Sequence, residues 1–147
     1  MTLHQTAAGR LQEAEQRYTP SRRDLVTVLE AVGRPVAIPE VLERLPGSPQ
    51  SSVYRNLAVL EQAGVVRRVL GIDDFARYEL AEDLTEHHHH LVCRTCGDVA
   101  DVPATGRFER TLDRVVAEAV ADTGFVPEGH RLDLVGRCAA CVSAARG

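Results

Sequence analysis

Apolar positions recur at helical spacing through the first half of the chain. Leu25, Val28, Leu29 and Val32 stand at i, i+3, i+4 and i+7 after Thr19-Pro20. There threonine suits an N-cap and proline the first helical position. Gly33 closes that helix and Pro35 blocks its continuation. Ile38, Val41, Leu42 and Leu45 share one face of a second helix, opened by Pro39 and ended by Pro46-Gly47. Ser48-Pro49 predicts the start of a third, with Ser48 as its cap, Val53, Leu57 and Leu60 on its inner side and Gly64 beyond its end. The period then changes to two. Val65–Leu70 and Phe75–Leu80 predict a hairpin around the turn Gly71-Ile72-Asp73-Asp74. Three short helices followed by a hairpin is the layout of a winged helix-turn-helix.

Residues 81–86 are polar and acidic with no period, and they are expected to form a hinge. Beyond them His87–Cys93 and Val99–Val102 predict strands. Phe108, Leu112, Val115, Val116 and Ala119 predict a long amphipathic helix stopped by Gly124. Phe125-Val126 and His130–Cys138 predict further strands. The expected fold is α+β: an N-terminal winged helix-turn-helix over residues 1–80, a hinge over 81–86, and a small C-terminal α/β domain over 87–147.

Composition adjusts this picture in three places. Aromatics are 4% of the 147 residues and Trp is absent, so the core must be aliphatic. No run approaches 18 apolar residues, and the N-terminus lacks a basic start followed by an apolar run. The expectation is therefore no membrane span and a cytoplasmic location, where four Cys serve better as thiolate ligands than as disulfides. The cations are 17 Arg with no Lys, against 21 acidic residues. Residues 1–80 balance to zero, whereas 81–147 carry the whole net charge of −4, with all four Cys and five of the six His.

Cys93-Arg-Thr-Cys96 and Cys138-Ala-Ala-Cys141 are two C-x-x-C pairs. Each such turn supplies one edge of a tetrahedron, and two complete a structural Zn²⁺ site. With four protein ligands that ion has no open position, so it would staple the C-terminus to the sheet rather than catalyse. His87-His88-His89-His90 runs into the same strand. Side chains alternate along a strand, so His87 and His89 face one way and His88 and His90 the other. One run can thus feed two sites. Glu79, in the hairpin before the hinge, would join His88 and His90 and tie the helical part to the sheet part. His130 would join His87 and His89, with a carboxylate from Glu109 or Asp113, which share a helix face.

The third helix exposes Gln50, Ser51, Ser52, Tyr54, Arg55 and Asn56. Gln, Asn and Arg read base edges, and Ser and Tyr hold phosphates or pack on a thymine methyl. Thr19, Arg22 and Arg23 from the earlier helix, and Arg67 and Arg68 from the wing, are candidate phosphate contacts.

The segments SSVYRNLAVLEQAGVV, FARYELAEDLTEHHHHLVCRTCG and GHRLDLVGRCAAC resemble the ferric uptake regulator family, over about Thr19 to Cys141. The resemblance implies a metal-dependent, homodimeric transcriptional repressor whose C-terminal domain dimerises and which binds double-stranded operator DNA. It implies structural zinc on Cys93, Cys96, Cys138 and Cys141, a sensory hinge site on Glu79, His88 and His90, and a further site on His87, His89 and His130. For the carboxylate of that further site, counting from Gly124 selects Asp113 and counting from Cys96 lands near Glu109. Tyr54 and Arg55 match the family's recognition-helix pair. Two departures stand out. Many iron-type members supply a His from the DNA-binding part, where this chain has Gly33-Arg34-Pro35-Val36. Zinc-type members often carry a Cys before the His run, and none is present. The fourth hinge ligand is then water, Glu82, Asp83 or Glu86, and the effector is Fe²⁺ or Zn²⁺, with Mn²⁺ also suited to such N/O donors.

Two other function classes meet the same residues less well. A metal buffer or chaperone that never touches DNA fits the net charge and the His run, but not the helix and wing. A zinc hydrolase or deaminase lacks its motif: there is no H-E-x-x-H, and neither Cys pair follows Pro. No enzymatic activity and no small-molecule substrate are expected.

Overall fold

The computed structural model describes residues 1–71, 73 and 75–146, so Ile72 and Asp74 of the expected turn lie outside the described residues. Along the chain run α1 (Leu3–Glu13), α2 (Pro20–Val32), β1 (Val36–Ala37), α3 (Ile38–Arg44), α4 (Gln50–Gln62), β2 (Val66–Leu70), β3 (Ala76–Leu80), a 3-10 turn (Glu82–Leu84), β4 (His88–Cys93), β5 (Val99–Pro103), α5 (Gly106–Val120), β6 (Asp133–Gly136) and α6 (Ala139–Arg146). The architecture is α+β, with four helices and a three-stranded sheet before the 3-10 turn and a second three-stranded sheet with two helices after it.

The first sheet has the order β1-β3-β2 and is antiparallel throughout. Its core is aliphatic: Leu25, Val26, Leu29, Val41, Val53, Leu57, Leu60 and Val65 are all at most 2% exposed. α2 starts and stops as its sequence demands. The Thr19 hydroxyl accepts from the Arg22 N–H, and Gly33 adopts the left-handed φ of 65° that ends the helix. α4 starts one residue later than Ser48-Pro49 predicts. Pro49 occupies the cap position and no side chain caps the helix, so Ser48 is not a cap.

α1 was not expected from periodicity, yet its signal is present. Thr2 and Gln5 form a reciprocal capping box, and Ala7 and Leu11, four apart, are fully buried in the core. Arg10 ties α1 to the segment 81–86: its Nη1 donates to the Gly64 carbonyl at 2.5 Å and its guanidinium pairs with Asp83. The 81–86 segment is accordingly less open than its polarity suggests. It holds the 3-10 turn, the Ala81 N–H donates to the Val65 carbonyl at 2.9 Å, and Leu84 packs on the first core.

The second sheet has the order β5-β4-β6, with β4–β5 antiparallel and β4–β6 parallel. His88, His89 and His90 therefore lie on a central strand, and His87, expected to open it, stands one residue before its start. Two expectations fail here. Phe125 and Val126 form no strand and stand 66% and 78% exposed, and of His130–Cys138 only Asp133–Gly136 is strand. The turn Asp122–Gly124 keeps positive φ at both ends, and the chain returns to the sheet irregularly through Pro127-Glu128-Gly129. The long helix ends at Val120, before Gly124. Val69 of β2 meets Val92 and Val99 in a small apolar cluster that joins the two sheets.

Leu11 makes α1 part of the first core, so Leu11→Ala should cost about 2–5 kcal/mol, the range for emptying a buried leucine site. Urea unfolding of the two proteins checks this. A variant as stable as the parent would mean that α1 contributes nothing to the core.

Candidate metal centres and DNA-facing helix

Three groups of metal-ligating side chains converge among the described residues: Cys93, Cys96, Cys138 and Cys141; His87, His89, Glu109 and His130; and Glu79, His88, His90 and Asp101. Within each, the candidate donor atoms lie within 4.8 Å of one another.

The four thiols are brought together by the end of β4 and the start of α6. Cys93 and Cys96 flank a tight turn in which the Gly97 N–H donates to the Cys93 carbonyl at 2.9 Å. Gly97 holds a φ of 81°, a left-handed conformation that favours glycine, with the Asp73 carboxylate packed where a Cβ would stand. Cys93 Sγ lies 3.8 Å from Cys141 Sγ, and Cys96 Sγ 3.8 Å from Cys138 Sγ. That is far beyond a disulfide bond, but it is the edge of a tetrahedron with zinc–sulfur bonds of about 2.3 Å. Backbone N–H groups of the Cys96 turn and of Cys138 draw the Cys93 pKa down to about 6, whereas the neighbouring Cys138 thiol and burial push Cys141 up to about 12. Four cysteine sulfurs at this spacing fit the four thiolate ligands of a structural zinc ion.

The second group centres on one carboxylate. His89 Nε2 lies 2.5 Å from Glu109 Oε1, while His87 Nε2 and His130 Nε2 lie 3.1 and 3.0 Å from Glu109 Oε2. The hydrogen bond from His89 holds the Glu109 pKa below its ordinary value. Of the two carboxylates left open by the sequence, α5 brings in Glu109. Asp113, one turn further on, lines the adjoining cavity but stays outside the group. His87 Nδ1 is paired with Glu82.

The third group joins the two sheets. Glu79 comes from β3, His88 and His90 from β4, and Asp101 from β5. Glu79 Oε2 lies 3.1 Å from His88 Nε2, and Oε1 lies 3.0 Å from His90 Nε2. The outward nitrogens are held by acceptors: His88 Nδ1 by the Glu86 carbonyl at 2.9 Å, and His90 Nδ1 by Asp133 at 3.2 Å. Both rings therefore turn Nε2 inward, the arrangement that outer partners give to metal-binding histidines. Glu79 is 4% exposed. Burial pushes its pKa up, but the His90 hydrogen bond and the Arg67 guanidinium outweigh it and leave it lowered. Asp101 is raised, by burial and then by the charge of Glu79. Its buried Oδ1 has no hydrogen-bond partner. An orphaned carboxylate oxygen beside a second carboxylate and two inward Nε2 atoms fits a divalent cation.

Asp101 joins this group, and the carboxylates of Glu82, Asp83 and Glu86 do not. Glu82 pairs with His87 and Arg67, Asp83 pairs with Arg10, and Glu86 offers its backbone carbonyl to His88. The signal for Asp101 lay in the hairpin: around the Cys93–Cys96 turn, antiparallel pairing places Asp101 directly opposite His90, on the same face.

On α4, Gln50, Ser51, Tyr54 and Arg55 are exposed, with Tyr54 at 50%, while Ser52 and Asn56 are half-buried. Asn56 is engaged, since its Oδ1 accepts from Arg22 Nε at 3.1 Å, and Arg22 also donates to the Arg17 carbonyl at 2.6 Å. Thr19 caps α2, and Arg23 is exposed. Of the wing arginines, Arg67 is turned onto Glu79, while Arg68 is exposed, pairs with Glu61 at 3.3 Å and lies 5.7 Å from the centre of the Tyr78 ring.

The ferric uptake regulator family model matches residues 13–135. The chain is 32% identical over 135 residues to the peroxide operon regulator of Bacillus subtilis, covering 89% of this chain and 88% of that one. It is 40% identical over 132 residues to the transcriptional regulator FurA of Mycobacterium tuberculosis, covering 86% and 80%. Its fold superposes on the Helicobacter pylori ferric uptake regulator with a TM-score of 0.73 at 23% identity, over 97% of this chain and 95% of that one.

Cys96→Ser should abolish stoichiometric zinc at the four-cysteine group. It should also lower the melting temperature by about 10 °C or more, because metal-linked folding energy amounts to several kcal/mol and each shifts a chain of this size by a few degrees. Metal analysis with thermal melting checks this. Retained zinc and an unchanged melt would contradict the assignment.

Proposed function

The chain belongs to the ferric uptake regulator family of metal-responsive transcriptional regulators, and from that premise we propose that it is a homodimeric repressor whose grip on operator DNA is set by a divalent cation at Glu79, His88, His90 and Asp101. One observation carries this reading. These four residues are the ligand group drawn from both sheets, so whatever they hold in common fixes one sheet against the other. The cation supplies two positive charges that the donor set itself does not. Glu79 anchors residues 1–80, the DNA-binding head. His88, His90 and Asp101 anchor residues 87–147, the dimerisation domain, and residues 81–86 are the hinge. With the four donors drawn together, the two α4 helices of a dimer are held at the spacing of successive major grooves. With the donors apart, the heads sample many angles and DNA affinity falls by the competent fraction.

The base-reading face is Gln50, Ser51, Tyr54 and Arg55, with Arg23 as a phosphate contact. Ser52, Asn56, Thr19 and Arg22 position that face. A second copy of the chain accounts for the apolar surface left open on the C-terminal part: Phe108 and Val115 on α5, Leu91 on β4, and Leu134 and Val135 on β6 are each 41% to 55% exposed. The effector is Fe²⁺ or Zn²⁺, with Mn²⁺ compatible with the N₂O₂ donor set. Zinc on the four cysteines is structural, and His87, His89, Glu109 and His130 form a further divalent site. The name of the Bacillus relative favours a second reading, in which peroxide relieves repression through the iron-loaded form.

Gel-shift titrations at fixed salt on the chain's own upstream DNA and on genomic fragments test the reading, with Fe²⁺, Mn²⁺, Zn²⁺ and Ni²⁺ added singly to the zinc-loaded protein. Glu79→Gln should raise the metal concentration needed for DNA binding by about tenfold or more while leaving the dimer intact, since lost metal ligands and their partners cost about 10–100-fold. DNA binding unaltered in this variant would sink the hinge assignment. No binding to any fragment with any metal would favour a metal buffer. Arg55→Ala should weaken binding by about 1–3 kcal/mol, the worth of one base contact. Hydrogen peroxide added to the Fe²⁺-loaded complex but not to the Mn²⁺-loaded one separates the two readings.

A further inference from the structure

Arg67 stands beside the hinge donors. The register of the hairpin places it directly across from Glu79, on the same face of the first sheet. Its Nε and Nη2 lie 2.7 and 2.6 Å from Glu79 Oε1, the oxygen that also meets His90. Its Nη2 lies 3.5 Å from His88 Nε2. With Nδ1 held by the Glu86 carbonyl, the His88 ring presents Nε2 to both Glu79 and the guanidinium. Two of the four hinge donors are thus claimed by a cation that is part of the chain. Arginine cannot surrender its charge by deprotonation at any working pH. The same side chain has a second acceptor within reach, since Nη1 lies 3.6 Å from Glu82 Oε2.

We infer that Arg67 is an internal competitor for the hinge metal donors, so that its departure from Glu79 toward Glu82 sets the cation concentration at which the site fills. This inference rests on the hinge-site reading above. A divalent ion and a guanidinium sharing one oxygen repel across a few ångströms, and at a partly buried site that repulsion is only partly screened. Glu82 relieves it by giving the guanidinium another carboxylate. The opposite role, in which Arg67 merely orients Glu79 as an outer partner, predicts the opposite sign: removing an orienting partner weakens metal binding by about 10–100-fold.

The test uses the full-length, zinc-loaded protein and Mn²⁺ as probe, with free Mn²⁺ followed by electron paramagnetic resonance. The hinge site is defined as the Mn²⁺ binding lost in His88→Ala. Arg67→Gln should bind Mn²⁺ there about tenfold more tightly or better, Arg67→Lys should lie between it and the parent, and Glu82→Gln should bind several-fold more weakly. Unchanged or weaker binding in Arg67→Gln overturns the inference. If that variant does not fold, Glu82→Gln decides alone: weaker binding supports the inference and unchanged binding overturns it. Full Mn²⁺ binding in His88→Ala would overturn the hinge reading and the inference together. Loss in His88→Ala with no change in Arg67→Gln overturns only the role of Arg67.

Discussion

The two-residue period of β4 is the constraint on which the metal chemistry depends. His88, His89 and His90 on the strand, with His87 just before it, must divide between its faces, and a slip of one residue would exchange the sets. His88 and His90 would then face Glu109, and His87 and His89 would face Glu79. The register is held at several points. β4 is central, paired antiparallel to β5 and parallel to β6. Val92, at its far end, is buried with Val69 and Val99, and the next residue, Cys93, belongs to the four-cysteine group. That group therefore does more than secure the C-terminus. It fixes the end of the strand whose other residues supply both histidine groups.

The polar groups buried along this strand and β3 do not stabilise the fold in any ordinary way. Glu79, Arg77, His89 and His90 are each less than 9% exposed. Buried charges recover their desolvation cost only with good partners, and apolar side chains of like volume would often serve stability better. Arg77 is provided for by a forked pair with Asp73 at 2.7 and 2.9 Å. Glu79 is met by Arg67, His88 and His90, whereas Asp101 beside it is provided for less completely. Both are carboxylates, burial and mutual repulsion raise the Asp101 pKa, and one Asp101 oxygen lacks a partner. Such a cluster is expensive unless a cation shares it. The cost makes sense as a binding device, in which part of the coordination energy offsets an electrostatic debt built into the fold.

Much of this was legible in the sequence where a local rule has one solution. Helical periods gave α2 to α5, and strand alternation assigned the histidines to their two groups. Zinc-ligand spacing gave the four cysteines. What the sequence left unread depends on chain segments meeting at a distance. Asp101 joins its group through the β4–β5 register, Asp133 holds His90 across a parallel pair, and Arg67 turns inward because Glu79 lies opposite. Glu109 and Asp113 share a helix face, so spacing could not separate them, and only the pose of α5 over the sheet selects Glu109. Phe125 and Val126 had strand-forming side chains but no partner strand, and the surrounding Gly and Pro residues keep them irregular. α1 is the exception. Its capping box and buried spacing were local, and only attention to the first 13 residues was needed.

On the proposed reading, a cation steers the head across a junction whose apolar contact among the described residues is small. Ala81 through Leu84 are tied to the first core by the Val65 carbonyl, by Arg10 and by the packing of Leu84, so the proposed pivot narrows to Thr85 and Glu86. Across that short pivot the apolar contact is Val69 against Val92 and Val99. One valine buried across it contributes at most about 1.5–3 kcal/mol. Converting a mostly misaligned population into a mostly aligned one takes about 5.5 kcal/mol. The valines alone therefore leave the orientation near balance, where a modest extra bias decides it. Glu79 lies just before the pivot and His88 just after it, so a bond shared by these two residues acts where the backbone is weakest. A larger apolar interface would have made the head rigid and the metal irrelevant to its direction.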